Sequence, residues 1–125
     1  MNAPRAIEVP KVEGIEIELI LPNLLRLKGV MAKKEPSADV AAFFKRVHDD
    51  AVARCLPTFC VDVTGLTFVN SSSIRLFIDW AVWVKGETAH RYLLTFRTSR
   101  QITWQTTAFA ALSSLMKEVV SVERV

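Results

Sequence analysis

The sequence is poor in the residues that carry chemistry. Its 125 residues include two cysteines, two histidines and one tyrosine. Cys55 and Cys60 form no CxxC pair, and neither histidine stands at a spacing that completes a zinc site. No metal or cofactor is expected, and the two thiols are expected to be buried and reduced. A GxSxG elbow is missing, no lysine lies beside the serines at 71–73, and neither His48 nor His90 is expected near them. An enzyme with a nucleophilic serine is therefore not expected. No apolar run reaches the ~20 residues that span a bilayer, and the opening MNAPRAIEVPKVEG lacks the apolar centre of a signal peptide. A cytoplasmic protein without direct membrane insertion is the expectation. The formal net charge is only +3, and basic residues are mixed with acidic ones, as in KVEGIEIE and FFKRVHDD. A nucleic-acid footprint needs a clustered basic face, so no nucleic-acid partner is expected.

What is present is apolar patterning. Half of the residues are hydrophobic, enough for one domain to bury a core without a metal or disulfide. GIEIELIL alternates Ile15, Ile17 and Leu19 against Glu16 and Glu18, a half-buried strand. Pro22 and Asn23 supply a turn into a second strand, Leu24 to Met31, so the two predict a hairpin. Pro36 and Ser37 open a helix carrying Val40, Phe43, Phe44, Val47 and Ala51, which Pro57 stops near Leu56. TFCVDVTGLTFV reads as a strand covered on both faces. A helix from Ser71 to Lys85, a strand in HRYLLTFR, a helix capped by Thr98 or Ser99 and a short strand in EVVSVE complete the chain. The fold class predicted is α/β, a single domain over 14–125 with a central mixed four- to five-stranded sheet and packed helices, behind a flexible segment at 1–13.

The stretch FVNSSSIRLF, from Phe68 to Phe77, sets three serines behind Asn70 where strand turns into helix. Asparagine and serine accept hydrogen bonds from the unpartnered N–H groups of a helix start. The positive end of the helix dipole also suits a phosphate, so the run reads either as a cap alone or as a cap and a switch. From Val61 to Ile74 the sequence resembles the signature stretch of the STAS domain, the fold of anti-sigma-factor antagonists and of the cytoplasmic tails of sulfate transporters. Asp62, Gly65, Phe68, Ser71, Ser72 and Ile74 match that pattern, and the order of elements resembles the family from about Gly14 to Val122. Asn70 stands where the family has aspartate and Ser73 where it has glycine, and the sequence ends soon after its last strand, so the family's closing helix is expected to be absent or displaced. The resemblance implies that a partner kinase phosphorylates the serine after the aspartate position, here Ser71, with Ser72 the second candidate.

The helix after the serines adds a second clue. At about 100° per residue, Ile74, Phe77, Ala81 and Val84 share a predicted core side. Arg75, Leu76, Asp79, Val82 and Trp83 lie opposite, with Trp80 at the boundary. Apolar residues on an outer face suit an interface; the alternative is that the N-terminal segment or a homodimer partner covers Leu76 and Trp83. STAS antagonists dock their partner on this loop and helix, which makes Asn70, Ser73, Arg75, Leu76, Asp79, Trp80 and Trp83 the candidate partner-binding residues. Phe68, with Phe77, Phe109, Leu112 and Trp104, is assigned to the core, and His48 to solvent. The expected function is a non-enzymatic switch that binds a GHKL-type Ser/Thr kinase or anti-sigma-type protein. The alternative is a constitutive structural subunit, as STAS proteins are in lipid-transport ABC complexes and stress-signalling assemblies.

Overall fold

The structure, a computed structural model, describes residues 7–32 and 38–125. The start of the first helix at Pro36 and Ser37 lies outside the described residues. Strands β1 (Ile15–Ile20) and β2 (Leu24–Met31) form the predicted hairpin. They are followed by α1 (Ala38–Ala53), β3 (Thr58–Val69), α2 (Ser71–Lys85), β4 (Leu93–Thr98), α3 (Thr103–Leu115) and β5 (Val120–Arg124). The five strands lie in chain order, with β1 antiparallel to β2 and every later neighbour parallel. The sheet is mixed, as the alternation of strands and helices predicts. Successive crossovers that advance in one direction with one hand place their helices on one face. Accordingly Phe44 of α1, Phe77 and Trp80 of α2 and Phe109 of α3 meet over Phe59 and Phe96 of the sheet, with ring centroids 4.6–5.8 Å apart. Among the described residues no helix is long and apolar enough to cross a membrane.

No described helix covers the other face, which corrects the reading of β3 as a strand covered on both sides. One register row on that face runs Glu18, Arg26, Asp62, Arg97, Glu123, with charges alternating across all five strands. Arg26 lies 3.0 Å from Glu18 and 3.6 Å from Asp62, and Arg97 lies 3.8 Å from Asp62 and 3.5 Å from Glu123. Opposite charges side by side across strands stabilise pairing, by about 0.2–1 kcal/mol each. Asp62 is buried between the two guanidiniums, and its Oδ1 also accepts from the Thr64 N–H and hydroxyl.

Phe68 is 48% exposed, contrary to its assignment to the core. Two irregularities in the β2–β3 ladder explain it. Gly29 pairs with Leu66 but Val30 with Phe68, so β3 carries one extra residue at Thr67. A bulge reverses the side-chain alternation: Leu66 faces the helices and Phe68, beside Val30, faces outward. Gly29 itself sits at φ 112°, where a Cβ would stand 2.2 Å from the Gly14 carbonyl oxygen. Glycine is required there because the backbone at Gly14 and Ile15 approaches that closely at the open end of the hairpin.

Three smaller differences have similarly local causes. Neither Thr98 nor Ser99 caps α3: the helix begins at Thr103 after Ile102, and the Gln105 carboxamide accepts from the Ser99 N–H at 2.8 Å. Cys55 is exposed rather than buried, because it ends the turn after α1 in a left-handed conformation, and Cys60 is half-buried on the open face. Both are free thiols. Trp104 is half-buried, its indole N–H donating to the Thr67 carbonyl at 2.9 Å, whereas Phe109 and Leu112 are in the core as expected.

The contrast between the two phenylalanines is measurable. Phe77→Ala is expected to lower the unfolding free energy by about 3–5 kcal/mol, and Phe68→Ala by less than about 1 kcal/mol. Equal shifts of the urea midpoints for the two variants would contradict the bulged register.

Candidate functional site

The loop between β3 and α2 is anchored at both ends. The Asn70 N–H donates to the Met31 carbonyl at 2.9 Å, which ties the end of β3 to β2. The Asn70 side-chain oxygen accepts from the Ser73 N–H at 2.8 Å, with Asn70 in extended geometry. This is the N-cap predicted from the sequence, and Asn70 alone makes it. The three serines therefore occupy different environments. Ser73 is buried under the first turn, while Ser71 and Ser72 are exposed, and neither has a side-chain partner among the described residues.

The rotation of α2 corrects the predicted face. Its buried residues are Ser73, Leu76, Phe77, Trp80, Ala81 and Val84. Leu76 is only 7% exposed and Trp80 is fully buried, so neither these nor Ser73 is available on the outer surface where all three were expected. Ile74, expected in the core, is half-buried. The cause is α1, which lies against the Leu76–Trp80 side: the Phe44 and Trp80 rings are 5.0 Å apart. Arg75 is exposed and Asp79 partly so. Trp83 lies in the seam between α1 and α2, with the Lys45 ammonium 5.3 Å from its ring centre and His48 beside it. The apolar residues that α2 does present are Ile78, 39% exposed, and Val82, 48% exposed. Ile78 was not among the candidates. Ser73, Leu76, Phe77, Trp80, Ala81 and Val84 follow the three-four spacing of a buried stripe, a spacing that is visible in the sequence beside the Ile74–Phe77–Ala81–Val84 alternative and is selected by the position of α1. The outer face thus runs from Ser71 and Ser72 through Arg75 to Ile78 and Val82.

Behind this face a chain of hydrogen bonds crosses the core. His48, expected in solvent, is buried, because it continues the apolar stripe of Phe44, Val47 and Ala51. The Trp80 indole N–H donates to the Tyr92 oxygen at 2.7 Å, and that oxygen lies 2.8 Å from His48 Nδ1. The Glu87 carboxylate can only accept, so in the neutral ring Nδ1 is the acceptor and the Tyr92 phenol donates its own hydrogen to it. His48 Nε2 then carries the ring hydrogen and donates to Glu87 at 3.2 Å. Desolvation lowers the His48 pKa, against the opposing pull of the Glu87 hydrogen bond, and desolvation also raises that of the Tyr92 phenol. The arrangement joins α1, α2 and the entry to β4 without an unpaired polar atom in its interior. Among the described residues no group of three potential ligands could hold a metal ion.

No family model matches the chain, and no curated protein matches it in sequence.

Two measurements test this geometry. Asn70→Ala is expected to cost about 1 kcal/mol of stability, and Ser71→Ala almost nothing, in paired urea titrations. For His48, a folded pKa below its unfolded value means that the unfolded chain binds the proton more readily. Stability is then complete above the unfolded pKa and falls as pH drops through it. His48→Gln should flatten that dependence between neutral and mildly acidic pH; an unchanged slope would assign it to other groups.

Proposed function

We propose that the chain is a non-enzymatic interaction switch of the STAS type. It docks a GHKL-type Ser/Thr kinase or anti-sigma-type partner on the 70–72 loop and the exposed face of α2, and phosphate on Ser71 ends the contact. The observation that carries this reading is the division of labour at the helix start: Asn70 provides the cap and leaves the hydroxyls of Ser71 and Ser72 exposed. A phosphate there adds about −1.5 to −2 charges at the N-terminal end of the docking face, whose apolar part, Ile78 and Val82, lies about 10 Å and about 16 Å along the same helix. The helix dipole stabilises that charge in the free protein, but burying it against an apolar partner surface costs desolvation energy. Free and bound states are thus biased in opposite directions by one group. Arg75 and Asp79 supply polar contacts at the rim, and Leu76, Trp80 and Ser73 act from below by fixing the helix.

The test is capture from native extract with wild type and variants, read by mass spectrometry of partners and of the Ser71 peptide. Ile78→Ala and Val82→Ala should each weaken capture up to about tenfold with unchanged thermal midpoints. Leu76→Ala should instead destabilise the fold by about 2–5 kcal/mol. Ser71→Asp should weaken capture in a salt-dependent way, and Ser71→Ala should retain it. Loss of partners with Ile78→Ala but not with Ser71→Asp would favour a constitutive subunit; no change with either would remove the docking face altogether.

A further inference from the structure

The two outer strands of the sheet are not equivalent. Val12 bridges Ile15 at the start of β1, and Glu16 and Glu18 stand exposed on the open side of that strand, the charged guard expected of a protected edge. β5 has no neighbour on its outer side among the described residues. Its hydrogen bonding to β4 fixes which groups remain free. The Val119 carbonyl accepts from Leu94 at 2.8 Å, the Val125 N–H donates to Thr98 at 2.9 Å, and the Val125 carbonyl accepts from Arg100 at 3.0 Å. Odd-numbered residues therefore turn their backbone toward β4, and Val122 and Arg124 turn theirs outward. The Val120 N–H is taken by the Met116 carbonyl, which leaves the Val120 carbonyl pointing out.

We propose that this edge pairs antiparallel with the same edge of a second copy about a two-fold axis through Val122, joining two five-stranded sheets into one. In that register Val122 exchanges both backbone hydrogen bonds with Val122 of the second copy. The Arg124 N–H meets the Val120 carbonyl, twice by symmetry. Every outward backbone group of β5 except the Arg124 carbonyl is then satisfied. The side chains agree with the register. Ser121 stands opposite Glu123 and Val120 opposite Arg124, so no like charges face each other. Each Glu123 already leans on Arg97 of its own chain, at 3.5 Å. The equivalent axis on β1, through Ile17, would place Glu16 opposite Glu18 on both sides. The neighbouring helix α3 itself carries no charged residue from Thr103 to Leu115. Its Ala110, Ser113 and Ser114 line an open groove beside Val120 and Val122, to which Lys117 and Arg124 add two cationic side chains, and the groove leaves room for an added strand.

Sedimentation velocity of the full chain up to several hundred micromolar tests the pairing. Wild type should show a concentration-dependent dimer. Val122→Pro removes an N–H that bonds nothing within one copy, and proline is tolerated on edge strands. It should weaken self-association at least about tenfold while far-UV circular dichroism stays unchanged. If that variant does not fold, Val122→Asp is read instead: it keeps the N–H but opposes two carboxylates at the axis, and should be monomeric at neutral pH and regain the dimer on acidification. A monomeric wild type, or a dimer that survives the folded proline variant or the aspartate variant at neutral pH, overturns the proposal. Neither outcome bears on the docking face of α2, which lies on another element.

Discussion

The position of one indole governs what α2 shows to solvent. Trp80 rests against Phe44 of α1 at 5.0 Å and Phe59 of β3 at 5.7 Å, and its N–H is bonded to Tyr92. These contacts come from three directions and leave the helix one rotation. An indole is too large to move without opening a cavity, and its N–H would be left unsatisfied if it turned outward into the seam. Once Trp80 is placed, Ser73 and Leu76 are carried inward on the same stripe, and Ser71, Ser72, Ile78 and Val82 are carried outward. The surface chemistry of the loop is a consequence of core packing.

The same reasoning explains what was legible in the sequence. The hairpin, the boundaries of α2 and the Asn70 cap depend on local signals: alternation, a turn proline, a capping amide. They are found where those signals place them. The phase of α2 is not local. Ile74 and Leu76 are both apolar, and which one is buried depends on where α1 lies, information that the wheel alone does not hold. His48 is misplaced for a related reason, since a polar residue in an apolar stripe is buried only when partners from distant segments, here Tyr92 and Glu87, reach it. Phe68 is turned outward by the bulge at Thr67, which leaves no mark in the sequence because Leu66 and Phe68 keep the two-residue spacing of a single strand face.

The open face of the sheet shows how a polar surface can be specific without being a site. Asp62 matched a family position and is buried, which invites a functional reading. Its surroundings account for it fully: two guanidiniums and the Thr64 backbone and hydroxyl. An unpartnered carboxylate at that depth would be costly, whereas a row of alternating charges fixes the register of parallel strands that would slip by two residues with little change in burial. Asp62 holds the sheet in register.

In the proposed reading, the departure at Asn70 sharpens the switch. Aspartate and asparagine both cap a helix, through the same oxygen. A carboxylate would add a full negative charge next to Ser71, and a phosphate arriving there would be repelled at short range and compete with it for the same helix dipole. The neutral amide keeps the bond to the Ser73 N–H and leaves the dipole to the phosphate. The loop therefore keeps its shape when the charge on Ser71 changes, since the group that holds the shape is not the group that is modified. In this reading a partner meets the same backbone in both states, and discriminates by the charge on Ser71, through its desolvation and its screened electrostatics.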